Sequence, residues 1–119
     1  MNTPDKERIK KIIQKWDHLK LKINVKINEK NITESTIEND QFIQWAITTP
    51  LYNIGEQVYK LSPEIKKKYP ELPWIQVAGL RHRLVHDYDN TNWSIISKIL
   101  FLNMPQFIKQ LEEIADKEE

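Results

Sequence analysis

Nine consecutive residues, Leu80-Arg81-His82-Arg83-Leu84-Val85-His86-Asp87-Tyr88, hold two arginines, two histidines, an acid and a phenol. Histidine titrates near neutral pH, so it can take a proton from one group and give it to another. Arginine stays charged and offers a fork of N–H donors that matches a phosphate and stabilises charge building on it. Arg81 and His86, four residues between them, therefore suit cleavage of a phosphodiester. Two other readings stay open on the residues alone. His82 and His86 stand at i,i+4, a spacing that lets two imidazoles share a metal, with Asp87 or Asp89 as a third ligand. The same side chains also fit a plain helix end, with His86 favoured by the C-terminal dipole and Arg83 paired with Asp87.

The geometry of a regular helix limits the first reading. Five residues turn an ideal helix by about 500°, which leaves Arg81 and His86 roughly 140° apart. One chain presents both on one face only if the helix distorts or ends between them. A site assembled across a two-fold axis relaxes that limit and would supply two copies of His86, one as base and one as acid. A homodimer is therefore expected.

The elements that must carry this run are helical. Thr3-Pro4-Asp5 is a helix start, after which Ile9, Ile12, Ile13, Trp16, Leu19 and Ile23 recur at spacings of three and four to about residue 27. Residues 28–38 read as a polar connection with one short turn. A second helix from Asn39 or Asp40 carries Ile43, Ile47, Leu51, Ile54, Val58 and Leu61, with a kink expected at Pro50. Ser62-Pro63-Glu64 opens a short helix that stops before Tyr69-Pro70. Pro73 begins a third main helix through Ile75, Ala78, Leu80 and Leu84 toward His86, ended by the turn formers of 87–92. The last helix runs from Trp93 through Ile95, Ile96, Ile99, Leu100, Phe107, Ile108, Leu111 and Ile114, with a second kink expected at Pro105. The expected fold is all-α, an up-and-down four-helix bundle with a short extra helix, as one domain over 1–119. Trp16, Trp45, Trp74 and Trp93 read as core or interface anchors.

Composition agrees. The 119 residues are 39% hydrophobic and 29% charged, with only two glycines, which suits helices better than tight-turned sheets. The absence of cysteine excludes disulfides and thiolate metal sites. No stretch reads as a signal peptide or a membrane span, so a cytoplasmic location is expected. The net charge of +1 announces no nucleic-acid partner, although residues 1–30 carry nine Lys or Arg against four acids.

Four ordered motifs add a resemblance. Ile54-Gly55-Glu56, Leu61-Ser62-Pro63-Glu64, Tyr69-Pro70-Glu71-Leu72-Pro73-Trp74 and Gly79 through Tyr88 together resemble the HepT-like branch of the HEPN superfamily. The resemblance implies a toxin of a toxin–antitoxin pair, a metal-independent endoribonuclease whose site forms where two protomers meet. It implies catalytic roles for Arg81 and His86, with RNA, whether tRNA or mRNA, as substrate and no cofactor. It also implies a minimal, MntA-like nucleotidyltransferase as antitoxin, which silences the enzyme by attaching AMP to Tyr88. Relatives usually carry Asn or Asp where this chain has His82. Glu56 is a supporting candidate, either orienting Arg81 through a salt bridge or lying on the surface, and Gly55 suggests close backbone packing beside it. The competing functions are a silent module that only docks the nucleotidyltransferase, and a metal-dependent hydrolase built on His82 and His86.

Overall fold

A computed structural model describes residues 1–30, 33–86 and 90–118, and of these the side chains of 23–30, Glu34, Val85 and His86 fall outside the description. Every regular element among the described residues is helical, which agrees with the expected all-α class. Helix α1 (Thr3–Lys30) buries Ile9, Ile12, Trp16 and Leu19, the stripe that its spacing demands. Helix α3 (Gln41–Lys60) lays Ile47, Leu51, Ile54 and Val58 against it. It continues through Pro50 as one element, the missing donor there falling opposite the carbonyl of exposed Ala46.

Between them the polar connection contains a true helix, α2 (Glu34–Asn39), so the bundle has two short helices where one was expected. Thr33 and Thr36 close a reciprocal capping box at its start, and Ile37 is its fully buried anchor. The other short helix, α4 (Pro63–Lys68), begins at Ser62 as expected, with Pro63 in its first turn. A contact from far along the chain secures that junction. The Asp5 carboxylate, 3% exposed, accepts from the Ser62 amide at 3.0 Å and from its hydroxyl at 2.6 Å. Lys66 of α4 in turn donates to the Tyr59 carbonyl at 3.2 Å, at the C-terminal end of α3. Burial pushes the Lys66 ammonium below its usual range, and the charge of Asp5 partly opposes that.

Helix α5 (Trp74–Ala78) is shorter than expected. Its buried face is Trp74 and Val77, continued by Leu80 and Leu84, while Ile75 is 86% exposed. The chain then passes through Gly79 into a π turn, His82–His86. The third main helix is therefore interrupted at Gly79 and ends in a widened turn. The last arm instead has its widened turn in the middle, as α6 (Trp93–Lys98), a second π turn (Ile99–Asn103) and α7 (Met104–Lys117). The Met104 amide donates to the Ile99 carbonyl, five residues back. The kink expected at Pro105 is thus a register change placed just before the proline, which then sits in the first turn of α7 where no donor is required.

Trp74 joins these arms. Its indole N–H donates to the Tyr69 carbonyl at 2.8 Å, and its ring meets Phe107 edge to face. Trp16 and Trp74 are core residues as expected, Trp93 is half-buried, and Trp45 is exposed. At the C-terminal end, Glu118 accepts from the Met1 amino group, from Lys68 and from the Tyr69 hydroxyl. These donors, Lys68 foremost, hold its carboxyl down at about 2. Among the described residues no helix is long and apolar enough to cross a membrane.

Candidate active site at the junction of α3 and the first π turn

Arg81 is the last residue before the π turn, and three residues of α3 place it. Gly55 comes first. A methyl group added there would lie 2.9 Å from the Arg81 backbone nitrogen and 3.1 Å from the Val77 carbonyl oxygen. Only a residue without a side chain lets α3 approach the α5 arm this closely, so the backbone packing expected of Gly55 is present. One position on, Glu56 turns its carboxylate to two cations. One oxygen lies 4.0 Å from Arg81 Nη1 and the other 3.6 Å from Lys60 Nζ. One turn further, the ring of Tyr59 lies under the guanidinium, with Arg81 Cζ 3.7 Å from its centroid.

The local electrostatics come from that inventory. Glu56 supplies one negative charge against the two positive charges of Lys60 and Arg81. All three groups keep contact with water, the Arg81 side chain being 30% exposed. Among the described residues of the cluster, positive charge exceeds negative by one, at a place that solvent reaches.

The π turn bears on the angular problem posed by Arg81 and His86. A π turn winds roughly 4.4 residues per circuit, so five residues overshoot by about 50°, whereas in a regular helix they overshoot by about 140°. The backbone at position 86 is therefore swung toward the side of the helix that carries position 81. The helix is thus distorted between the two positions at the level of the backbone. His82 opens the same turn with its imidazole exposed. Beyond the turn, the Thr91 hydroxyl donates to the Arg83 carbonyl at 2.9 Å. The side chain of His86 and the whole of Asp87, Tyr88 and Asp89 lie outside the described residues, so the roles read for them rest on the sequence. Among the described residues no three His, Asp or Glu side chains gather as a metal site would require.

The structure thus brings Glu56 to Arg81 and places His82 at the opening of the turn that His86 closes. It also adds Tyr59, which no sequence motif singles out. Tyr59 lies three residues from Glu56 and four from Gly55, on the same side of α3, and that spacing is the signal the sequence offers for it.

Comparison with known proteins gives the family. A family model described as Ribonuclease HepT-like matches residues 6–114. The chain belongs to the HepT-like ribonuclease family. A protein of Caldanaerobacter subterraneus subsp. tengcongensis named as a "Putative RNase" is 34% identical over 89 residues, covering 75% of this chain and 80% of its own. A second "Putative RNase", from Methanocaldococcus jannaschii, is 40% identical over 75 residues, 63% of this chain and 62% of its own. The "Probable ribonuclease HepT" of Thermococcus cleftensis is 27% identical over 75 residues, 63% and 68% of the two chains. No solved structure matches the chain significantly. The HepT-like assignment agrees with the all-α HEPN fold expected from the four motifs.

Proposed function

We propose that this HepT-like chain is a metal-independent endoribonuclease toxin that acts as a homodimer through Arg81 and His86. The observation that carries the reading is the fastening of Arg81 by Glu56 and Tyr59 directly before a π turn that ends at His86. In the reaction, one His86 imidazole takes the proton of the ribose 2′-hydroxyl, whose oxygen attacks the adjacent phosphorus. The bond to the 5′-oxygen breaks, and the second protomer's His86 gives that oxygen a proton. Arg81 holds the phosphate and offsets charge gathering on its non-bridging oxygens. The products are a 2′,3′-cyclic phosphate and a 5′-hydroxyl.

The outer face of α3 supports the dimer. Phe42, Trp45 and Tyr59 are exposed on it, and Phe42 and Trp45 pack edge to face with centroids 5.6 Å apart. Together with Thr49, Tyr52 and Glu56 they form a stripe at spacings of three and four that ends at Arg81, the pattern of a helix face that takes a partner. Control comes from the family reading: a nucleotidyltransferase antitoxin transfers AMP to the Tyr88 hydroxyl with release of pyrophosphate. The added phosphate then competes for the arginine fork.

The deciding experiment is cleavage of total RNA and tRNA by the purified protein in excess chelator, with the new 3′ ends read by mass spectrometry. Cyclic phosphate ends, lost in His86→Ala and Arg81→Ala, are expected. Loss of activity on chelation with return on adding zinc would replace this reading with metal-dependent hydrolysis. Light scattering is expected to give twice 14.3 kDa, and co-expression with a nucleotidyltransferase is expected to add AMP mass to the Tyr88 peptide.

A further inference from the structure

Tyr59 belongs to none of the sequence motifs, yet among the described residues it is, with Glu56, one of the side chains seated on Arg81. Its ring is 54% exposed overall while the guanidinium covers one of its faces at 3.7 Å. Its backbone is held as well, since its carbonyl accepts from Lys66 at 3.2 Å. The ring thus stands on a backbone that is tied down at the end of α3 and not on a loose terminus.

A stack and a salt bridge restrain an arginine in different ways. Glu56 approaches Nη1 and so occupies part of the donor edge that a phosphate would use. A ring under the guanidinium face takes none of the N–H donors, because all five lie in the plane. It removes the tilting freedom of that plane and leaves the fork available. An unrestrained arginine surrenders rotamer entropy on gripping its ligand, and pre-stacking lowers that cost.

We propose that Tyr59 is a positioning residue for Arg81, fixing the plane of the guanidinium so that its in-plane donors meet the scissile phosphate. This rests on Arg81 acting as the phosphate clamp of the proposed ribonuclease. It concerns how the clamp is held, not which residues transfer protons.

The test uses the full-length protein with Tyr59→Leu, Tyr59→Phe and Arg81→Ala, and also Arg81→Lys in both the wild-type and the Tyr59→Leu background. Tyr59→Leu is expected to lower kcat/KM about tenfold, within the range a cation–π contact supports, and Tyr59→Phe to keep wild-type activity because it keeps the ring face. Arg81→Lys is expected to be severe in the wild type and milder once the ring is gone, because an ammonium gains less from the platform. An independent readout is the NMR shift of the Arg81 side-chain protons, expected to move downfield in Tyr59→Leu as the ring current disappears. Wild-type cleavage by Tyr59→Leu alongside an inactive Arg81→Ala would overturn the positioning role and leave the ribonuclease reading intact. Full activity of Arg81→Ala would overturn the reading itself. A loss in Tyr59→Phe equal to that in Tyr59→Leu, or an activity loss with unchanged Arg81 shifts, would mean that Tyr59 acts through its hydroxyl or on the RNA, and either would overturn the proposal.

Discussion

Asp5 and Glu56 are both carboxylates that reach from a long helix to the start of another segment, and they do so in opposite ways. Asp5 is buried and saturated, its two oxygens taken by the amide and hydroxyl of Ser62 at 3.0 and 2.6 Å. Glu56 is half-exposed and shared, its oxygens 4.0 and 3.6 Å from Arg81 and Lys60. The first arrangement leaves nothing for a ligand and locks α4 onto α1. The second gathers two cations about one carboxylate and leaves all three groups in contact with water. The contact at Asp5 is closed, and the one at Arg81 stays open to solvent.

The contrast can be broken from either side. The largest effect is expected at the open junction: His86→Ala and Arg81→Ala should each cost roughly 100-fold or more in RNA cleavage with little change in melting temperature, since neither is a large apolar core residue. His82→Ala should be milder, as it lies outside the proposed proton-transfer pair. Asp5→Ala should do the reverse, lowering unfolding free energy by about 2 kcal/mol, because it removes two charge-assisted hydrogen bonds from a buried junction, while folded protein cleaves normally; denaturant titration checks it. Gly55→Ala should fail on both counts. Its methyl group meets backbone atoms at 2.9 and 3.1 Å, so about 1–2 kcal/mol of overpacking strain should come with lower activity as Arg81 is displaced.

The smallest effect concerns pH. Glu118 is held at about 2, chiefly by Lys68, against an ordinary 4.5. A depressed carboxyl stabilises the fold above its ordinary value, and that stabilisation is lost as pH falls through about 2. The wild-type melting temperature should therefore drop more steeply between pH 4.5 and 2 than that of Glu118→Gln, as differential scanning calorimetry would show.

The parts of the molecule legible in its sequence are those with local signals. The apolar stripe of α1 and the Ser62-Pro63-Glu64 start of α4 are set by spacing and capping within a few residues. Gly55 stands out as a helical glycine needing a reason. Helix α2 is hard to read because its capping box pairs two threonines and its buried face is the single residue Ile37. The Asp5–Ser62 contact spans 57 residues, and no spacing rule reaches that far. Ile75 and Ile95 read as members of an apolar stripe, yet both are exposed because each stands one residue off the buried face, beside Trp74 and Ile96 respectively. Tyr59 looks like any aromatic on a helix until the fold brings Arg81 over it.

The π turns also have an arithmetic. A π turn is an α-helix holding one residue more than its ladder uses, so each acts as a stored insertion. Deleting one residue inside either turn would restore regular winding and leave the downstream segment nearly in phase, whereas the same deletion in a regular helix would rotate it by about 100°. In the Ile99–Asn103 turn the surplus residue sits immediately before Pro105, whose ring resists regular winding, so local sterics account for it. No proline lies in or just after the His82–His86 turn. There no proline asks for the surplus residue, and its effect is on where the backbone of position 86 stands relative to position 81.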